Sequence, residues 1–303
     1  MVETSPERVI CLREESAASE AVTERERQDI ARLRRRVEEL DAEAAVREGR
    51  ISELLSQAFD LEHEIRDYAA MRDVLTPPEL RAGPGLAVEC SFTPATDGVA
   101  GDFYVVTPGP DEDSTILAVG DVSGKGAESA RRATFVRTAL ATFAGFVDEP
   151  CQLLELSNQV LVERAGPSTI FVTAVVVVLR PREGRLTWAS AGHPPPLLLD
   201  SGELLNGRKP TPPLGIDATI TCRPGELEIA PSAGLLLFTD GVTEAHRPRE
   251  EMFGERRLAG VVRELAGLPP DEVVRRLESA VLDHAGASLA DDLCIVAARM
   301  VSP

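Results

Sequence analysis

A chain of 303 residues with 50 acidic against 32 basic side chains carries a formal net charge of −18. That balance argues against broad nucleic-acid binding, which needs basic patches, and it disfavours anionic membrane surfaces. The 43% hydrophobic content and the periodic apolar runs specify a folded protein of one to three domains. Five scattered cysteines, Cys11, Cys90, Cys151, Cys222 and Cys294, include no CxxC pair. They predict neither a disulfide framework nor a zinc site, and point to a reducing cytosol. No basic-then-apolar leader opens the sequence, and the longest apolar run, Val172 to Leu179, is too short to span a bilayer. The expectation is a cytoplasmic protein with no membrane segment.

Residues 1–20 are polar and mixed, and are expected to be disordered. From Ile30 a heptad begins. Its a positions are Ile30, Val37, Ala44, Ile51, Ala58, Ile65 and Arg72, and its d positions are Leu33, Leu40, Arg47, Leu54, Leu61, Tyr68 and Leu75. Only Arg47 and Arg72 break it. A strict seven-residue repeat specifies a left-handed coiled coil, and Leu at d with β-branched residues at a favours a parallel dimer. Residues 21–76 are therefore predicted to form a homodimeric coiled coil, its heptad stretch from Ile30 to Leu75 roughly 70 Å long at about 1.5 Å per residue. A single amphipathic helix packed on the globular part is the other reading of the same pattern. Thr76-Pro77-Pro78 ends the helix, because proline cannot continue it. Residues 77–85 read as a linker and 86–303 as a second domain.

In that domain the pattern changes to short strands: Leu86 to Phe92, Phe103 to Thr107 and Ile116 to Val119. Ala127 to Phe146 and Cys151 to Arg164 read as helices, the second opened by Pro150. Thr169 to Leu179, Leu186 to Ser190, Leu197 to Leu199, Ile220 to Ile229 and Leu235 to Thr239 read as strands. Two more helices, Phe253 to Leu265 and Asp271 to His284, precede a closing strand, Leu293 to Arg299. Strands in hairpins and helices in pairs specify an α+β fold with antiparallel sheets.

The chemistry concentrates at strand ends. The run ILAVGDVSGKG, Ile116 to Gly126, delivers Asp121 from an apolar strand into a Gly-rich turn. Asp102 in AGDFY, Asp240 in LLLFTDGVTEA, and Asp291 with Asp292 in DDLCIVAAR stand at similar junctions. Several aspartates on rigid elements, with no adjacent histidine, suit hard divalent cations such as Mg²⁺ or Mn²⁺ rather than zinc. Each Asp-Gly alone is no more than a turn signal; the information lies in their joint order. Ser123 reads as a helix cap, Arg131 and Arg132 as a solvated helix face, and His193 as a turn-shaping residue.

In that order the segments SFTPATDGVAGDFY, ILAVGDVSGKGAESA, SAGHPPPLLL, PLGI, LLLFTDGVTEA and DDLCIVAAR resemble the catalytic domain of the PPM (protein phosphatase 2C-like) serine/threonine phosphatases. The nearest branch is that of the bacterial sporulation and stress-regulator phosphatases. The resemblance spans Leu86 to Val301. It implies a β-sandwich flanked by helices on both faces, with two Mn²⁺ or Mg²⁺ ions at one end. By the same resemblance Asp121 bridges the metals, Val122 supplies a main-chain carbonyl, Asp240 and Asp291 complete one ion and Asp102 serves the other. Asp292 matches the second acid of the pair. The implied reaction is direct attack of metal-bound water on a protein phosphoserine or phosphothreonine. The implied partners are a phosphorylated anti-anti-sigma-type substrate and an upstream activator protein at the coiled coil. Ala100, Val105 and Lys125 depart from the branch pattern, where Gly, Asp and His are frequent. A non-catalytic phosphoprotein-binding scaffold, or an enzyme for a small phosphate ester, are the competing readings.

Overall fold

In a computed structural model the described residues are 80–95, 100–124, 126–165, 170–205, 211–286 and 289–301, with scattered positions between 32 and 53. The chain divides into two compact units, residues 1–66 and 67–303. In the first, the scattered positions are helical and exposed, with ion pairs Arg36–Glu39 and Arg50–Glu53 one turn apart. The remainder of the heptad lies outside the described residues.

The second unit contains two antiparallel sheets. One has four strands in the order β1-β9-β8-β6, where β1 is Leu86–Thr93, β6 Leu197–Leu198, β8 Gly234–Phe238 and β9 Leu293–Met300. The other has five in the order β2-β3-β4-β5-β7: Phe103–Pro108, Thr115–Val122, Val172–Arg180, Arg185–Ala191 and Gly225–Glu228. Strand β4, reading VTAVVVVLR, is buried along nearly its whole length. Its Ala174, Val176 and Val178 face the helices, while Val175, Val177 and Leu179 face the other sheet. A strand covered on both faces reads as a continuous apolar run and not as an alternation.

Helices α1 (Ala127–Phe143) and α2 (Pro150–Ala165) cover the outer face of the five-stranded sheet. The one-turn helix α3 (Asp240–Thr243) follows β8. Helices α4 (Gly254–Glu264) and α5 (Pro270–Ala285) cover the four-stranded sheet. In α1 the residues Ala130, Ala133, Val136 and Leu140 are buried at helical spacing, and in α5 Val273, Leu277 and Val281 are. Pro270 opens α5, where its missing N–H is no loss. The expected sandwich with helices on both faces is the observed architecture.

The structure corrects three expectations. Strand Ile220 to Ile229 shrinks to Gly225–Glu228, because Pro224 cannot donate to a ladder and Cys222 is tied elsewhere. The tie is a Cys151–Cys222 disulfide, 71 residues apart, where no disulfide was expected. Ser123 is not a helix cap: its hydroxyl accepts the Phe171 N–H at 2.9 Å, and Gly126 holds the cap position of α1 without a side-chain bond.

Candidate metal centre

All the sequence-predicted acids come to one end of the sandwich. Antiparallel pairing places the start of β2 beside the end of β3, so Asp102 adjoins Asp121. It likewise places the end of β8 beside the start of β9, so Asp240 adjoins Asp291 and Asp292. One sheet thus contributes Asp102, Asp121 and Val122, and the other contributes Asp240, Asp291 and Asp292.

Asp102 is the most buried of the acids, at 6% exposure. Its Oδ2 accepts the Thr239 hydroxyl at 2.6 Å. Burial and the neighbouring Asp121 carboxylate push Asp102 well above the usual carboxylate range. Asp121 is pushed up to about 6 by burial, then by Asp240 and Asp291, against a hydrogen bond from Asp102. Asp240 is raised by burial, Glu244 and Asp291. Like charges brought together in a partly buried site favour the protonated form.

Asp292 is differently engaged. Its Oδ1 accepts the Ala95 N–H at 2.9 Å and its Oδ2 accepts the Gly101 N–H at 2.8 Å. It therefore ties Ala95 and Gly101, the residue before Asp102, to the start of β9. Asp291 is exposed, and its Oδ1 accepts the Asp292 N–H.

Close approach favours glycine at one place and requires it at another. A Cβ on Gly101 would lie 3.2 Å from Asp121 Oδ1 and 3.1 Å from the Val122 carbonyl oxygen, on the two groups that the family resemblance implies as ligands. A Cβ on Gly241 would lie 1.9 Å from the Asp292 carbonyl. Among the described residues no three acidic, imidazole or thiol groups form a ready-made cation cage. The donors are nonetheless all oxygen, they adjoin in register, and they raise one another's pKa. This set fits hard divalent cations, whose charge would relieve that repulsion.

Sequence reasoning missed Thr239, which links the two halves, and misread Arg132. Arg131 is exposed as expected, but Arg132 is 5% exposed, and both pair with Glu128, holding it down to about 2. The TDG segment that revealed Asp240 also contained Thr239, but a hydroxyl that spans two sheets leaves no spacing signal. Lys125 lies outside the described residues.

The chain is similar to several proteins of related architecture. Over 198 residues it is 29% identical to Protein IcfG of Synechocystis sp. (strain ATCC 27184 / PCC 6803 / Kazusa), covering 56% of this chain and 31% of IcfG. It therefore spans about a third of that relative. Over 243 residues it is 24% identical to the Phosphoserine phosphatase RsbU of Bacillus subtilis (strain 168), covering 79% of this chain and 71% of RsbU. The solved SiaA-PP2C domain of Pseudomonas aeruginosa superposes with a TM-score of 0.63 at 23% identity, over 71% of this chain and 86% of that one. Residues 111–301, more than half of the chain, match the family model described as Stage II sporulation protein E (SpoIIE). With two helix-covered antiparallel sheets and an aspartate cluster at their common end, the chain belongs to the SpoIIE family, the sporulation and stress-regulator branch of the PPM-type serine/threonine phosphatases.

Proposed function

We propose that this chain is a metal-dependent phosphatase that removes phosphate from phosphoserine or phosphothreonine on a regulatory protein of the anti-anti-sigma (STAS) type. The observation that carries the reading is the meeting of Asp102, Asp121, Asp240 and Asp291 from two sheets, where carboxylates are the main charged neighbours of one another. The similarity to RsbU, a phosphoserine phosphatase, supports the substrate class.

In this reading Asp121, the Val122 carbonyl, Asp240, Asp291 and Asp102 hold two Mn²⁺ or Mg²⁺ ions. When bound, such a pair supplies an activated water and neutralises charge on the phosphoryl group. The protein's own part is positional. Strand β3 fixes Asp121 at its buried end, Thr239 orients Asp102, and Asp292 holds the Gly101 amide so that Asp102 stays beside Asp121. The Ser123 hydroxyl is occupied by the Phe171 amide, consistent with hydrolysis without a seryl phosphoenzyme.

The heptad of residues 21–76 makes the protein a homodimer and offers a surface for an upstream activator protein. No helix among the described residues is long and apolar enough to cross a membrane. The Cys151–Cys222 bridge removes the cysteine argument for a reducing compartment, so a cytoplasmic site of action rests on the proposed anti-anti-sigma-type substrate.

The test is phosphate release from a phosphoserine-bearing STAS-domain protein by the full chain, with Mn²⁺ titrated, for wild type and Asp121→Asn. Saturable, metal-dependent release that the substitution abolishes is the expected result. Phosphoprotein binding without release at any Mn²⁺ concentration would replace the enzyme with a scaffold.

A further inference from the structure

Strand β5 ends at Ala191, and Gly192 then takes a left-handed conformation, φ 69. A Cβ there would lie 2.6 Å from the Pro213 ring, so only glycine makes this turn. The turn sends His193 between the sheets, where it is 6% exposed. The Ser190 hydroxyl donates to the His193 carbonyl and fixes the backbone.

The imidazole meets a different sheet on each side. Its Nδ1 is 2.9 Å from Thr173 Oγ1, and its Nε2 is 3.1 Å from the Phe238 carbonyl oxygen. A carbonyl only accepts, so Nε2 carries the hydrogen and Nδ1 accepts from the Thr173 hydroxyl. Thr173 stands opposite Asp121 in the β3–β4 register. Phe238 is the last residue of β8, two before Asp240. One ring therefore bonds to the strand neighbour of one acid and to the strand that delivers the other.

We propose that His193 is a positioning residue of the metal centre: by bridging Thr173 and Phe238 it sets the separation between Asp121 on one sheet and Asp240 on the other. The inference rests on the metal-centre reading above. It goes further in assigning the spacing of two ligands to a residue whose hydrogen bonds reach neither carboxylate. A phenyl ring would fill the same space but would supply neither the donor to Phe238 nor the acceptor to Thr173. Glutamine can supply both.

The test uses the full chain with His193→Phe, His193→Gln, Thr173→Val and the Phe/Val double variant. Mn²⁺ affinity is read from the paramagnetic resonance of free Mn²⁺. Amide hydrogen exchange is followed in metal-free protein over residues 119–123 and 238–242. His193→Phe is expected to weaken Mn²⁺ binding by about 10–100-fold and to speed exchange in both segments. His193→Gln restores both toward wild type. Thr173→Val gives part of the loss and adds nothing to His193→Phe. If His193→Phe does not fold, the Gln and Val variants carry the comparison, and wild-type affinity in Thr173→Val would overturn the proposal. So would unchanged Mn²⁺ affinity in a folded His193→Phe, with faster exchange confined to residues 190–195. A wild type that binds no Mn²⁺ overturns the metal reading, and the positioning role in a metal centre with it. A wild type that binds Mn²⁺ no more tightly than His193→Phe overturns the positioning role alone.

Discussion

Thr239 and Asp102 belong to different sheets and share a hydrogen bond of 2.6 Å, with the threonine hydroxyl as donor. The same Oγ1 accepts the Cys294 N–H at 3.1 Å. Thr239→Val removes donor and acceptor together while keeping the branched shape. It is expected to destabilise the fold by about 1–3 kcal/mol, because a buried amide and a buried carboxyl lose a partner. It should also weaken Mn²⁺ binding by about 10–100-fold. Thr239→Ser should retain most of both. Urea unfolding and a Mn²⁺ titration check this, and identical behaviour of Val and Ser would remove Thr239 from the account.

Crowded carboxylates store repulsion that a cation releases. Burial and the Asp240 and Asp291 charges hold Asp121 at about 6. Metal-free Asp121→Asn is therefore expected to be more stable than wild type at pH 7, by about 1–2 kcal/mol after discounting for solvent screening of a half-buried group. Mn²⁺ at a hundred times its Kd should stabilise wild type by about 2.7 kcal/mol and the variant far less. Calorimetric scans with and without Mn²⁺ read both effects. A variant less stable than wild type without metal would show that repulsion is not stored there.

Burial pulls the His193 imidazole down to about 4, against a smaller upward effect of its bond to Phe238. The ordinary imidazole of the unfolded chain takes up its proton first as pH falls from about 6.5. Over pH 6.5 to 4 the unfolded state binds more protons, so stability falls with falling pH, and this contribution levels off below pH 4. The loss is on the order of 3 kcal/mol at its fullest. In urea unfolding between pH 4 and 7.5 with chelator present, the gap between wild type and His193→Gln should change across that window. A constant gap would assign the acid sensitivity to other groups.

The Cys151–Cys222 bridge joins the first turn of α2 to the segment before β7, across 71 residues. Closing a loop of that size restricts the unfolded chain, and removing it is expected to cost about 2–4 kcal/mol. Cys151→Ser with Cys222→Ser, compared with wild type in the presence and absence of dithiothreitol, measures this. A midpoint insensitive to both reductant and substitution would mean that the two thiols contribute only packing.

Local order was legible in the sequence and long-range bonding was not. The β-branched run of β4 and the Pro-opened helices announced themselves, because period and end signals are written into neighbouring residues. Asp121 and Asp240 were visible for the same reason, as acids ending apolar strands. Thr239 and Asp102 are 137 positions apart, and their bond follows from a register that no local pattern encodes. The disulfide escaped for a like reason, since Cys151 and Cys222 belong to no spacing motif. Asp292 reads in the sequence only as the second acid of a pair, because a carboxylate's backbone partners cannot be read from its neighbours. The structure shows both of its oxygens on backbone amides. His193 was noticed as a turn, but not as a bridge, because the turn is local and the bridge is not.

The acids are divided between the sheets, and β9, which follows Asp291 and Asp292, lies between β1 and β8. The four-stranded sheet therefore cannot close until β9 joins β1 to β8, although β1 precedes every other strand of the fold in sequence. A nascent chain carrying Asp102, Asp121 and Asp240 still lacks both the final acids and the strand that sets Asp240 in place. The cluster is therefore coupled to closure of the whole sandwich: a chain truncated before Asp291 is expected to lack both a closed four-stranded sheet and a complete set of acids.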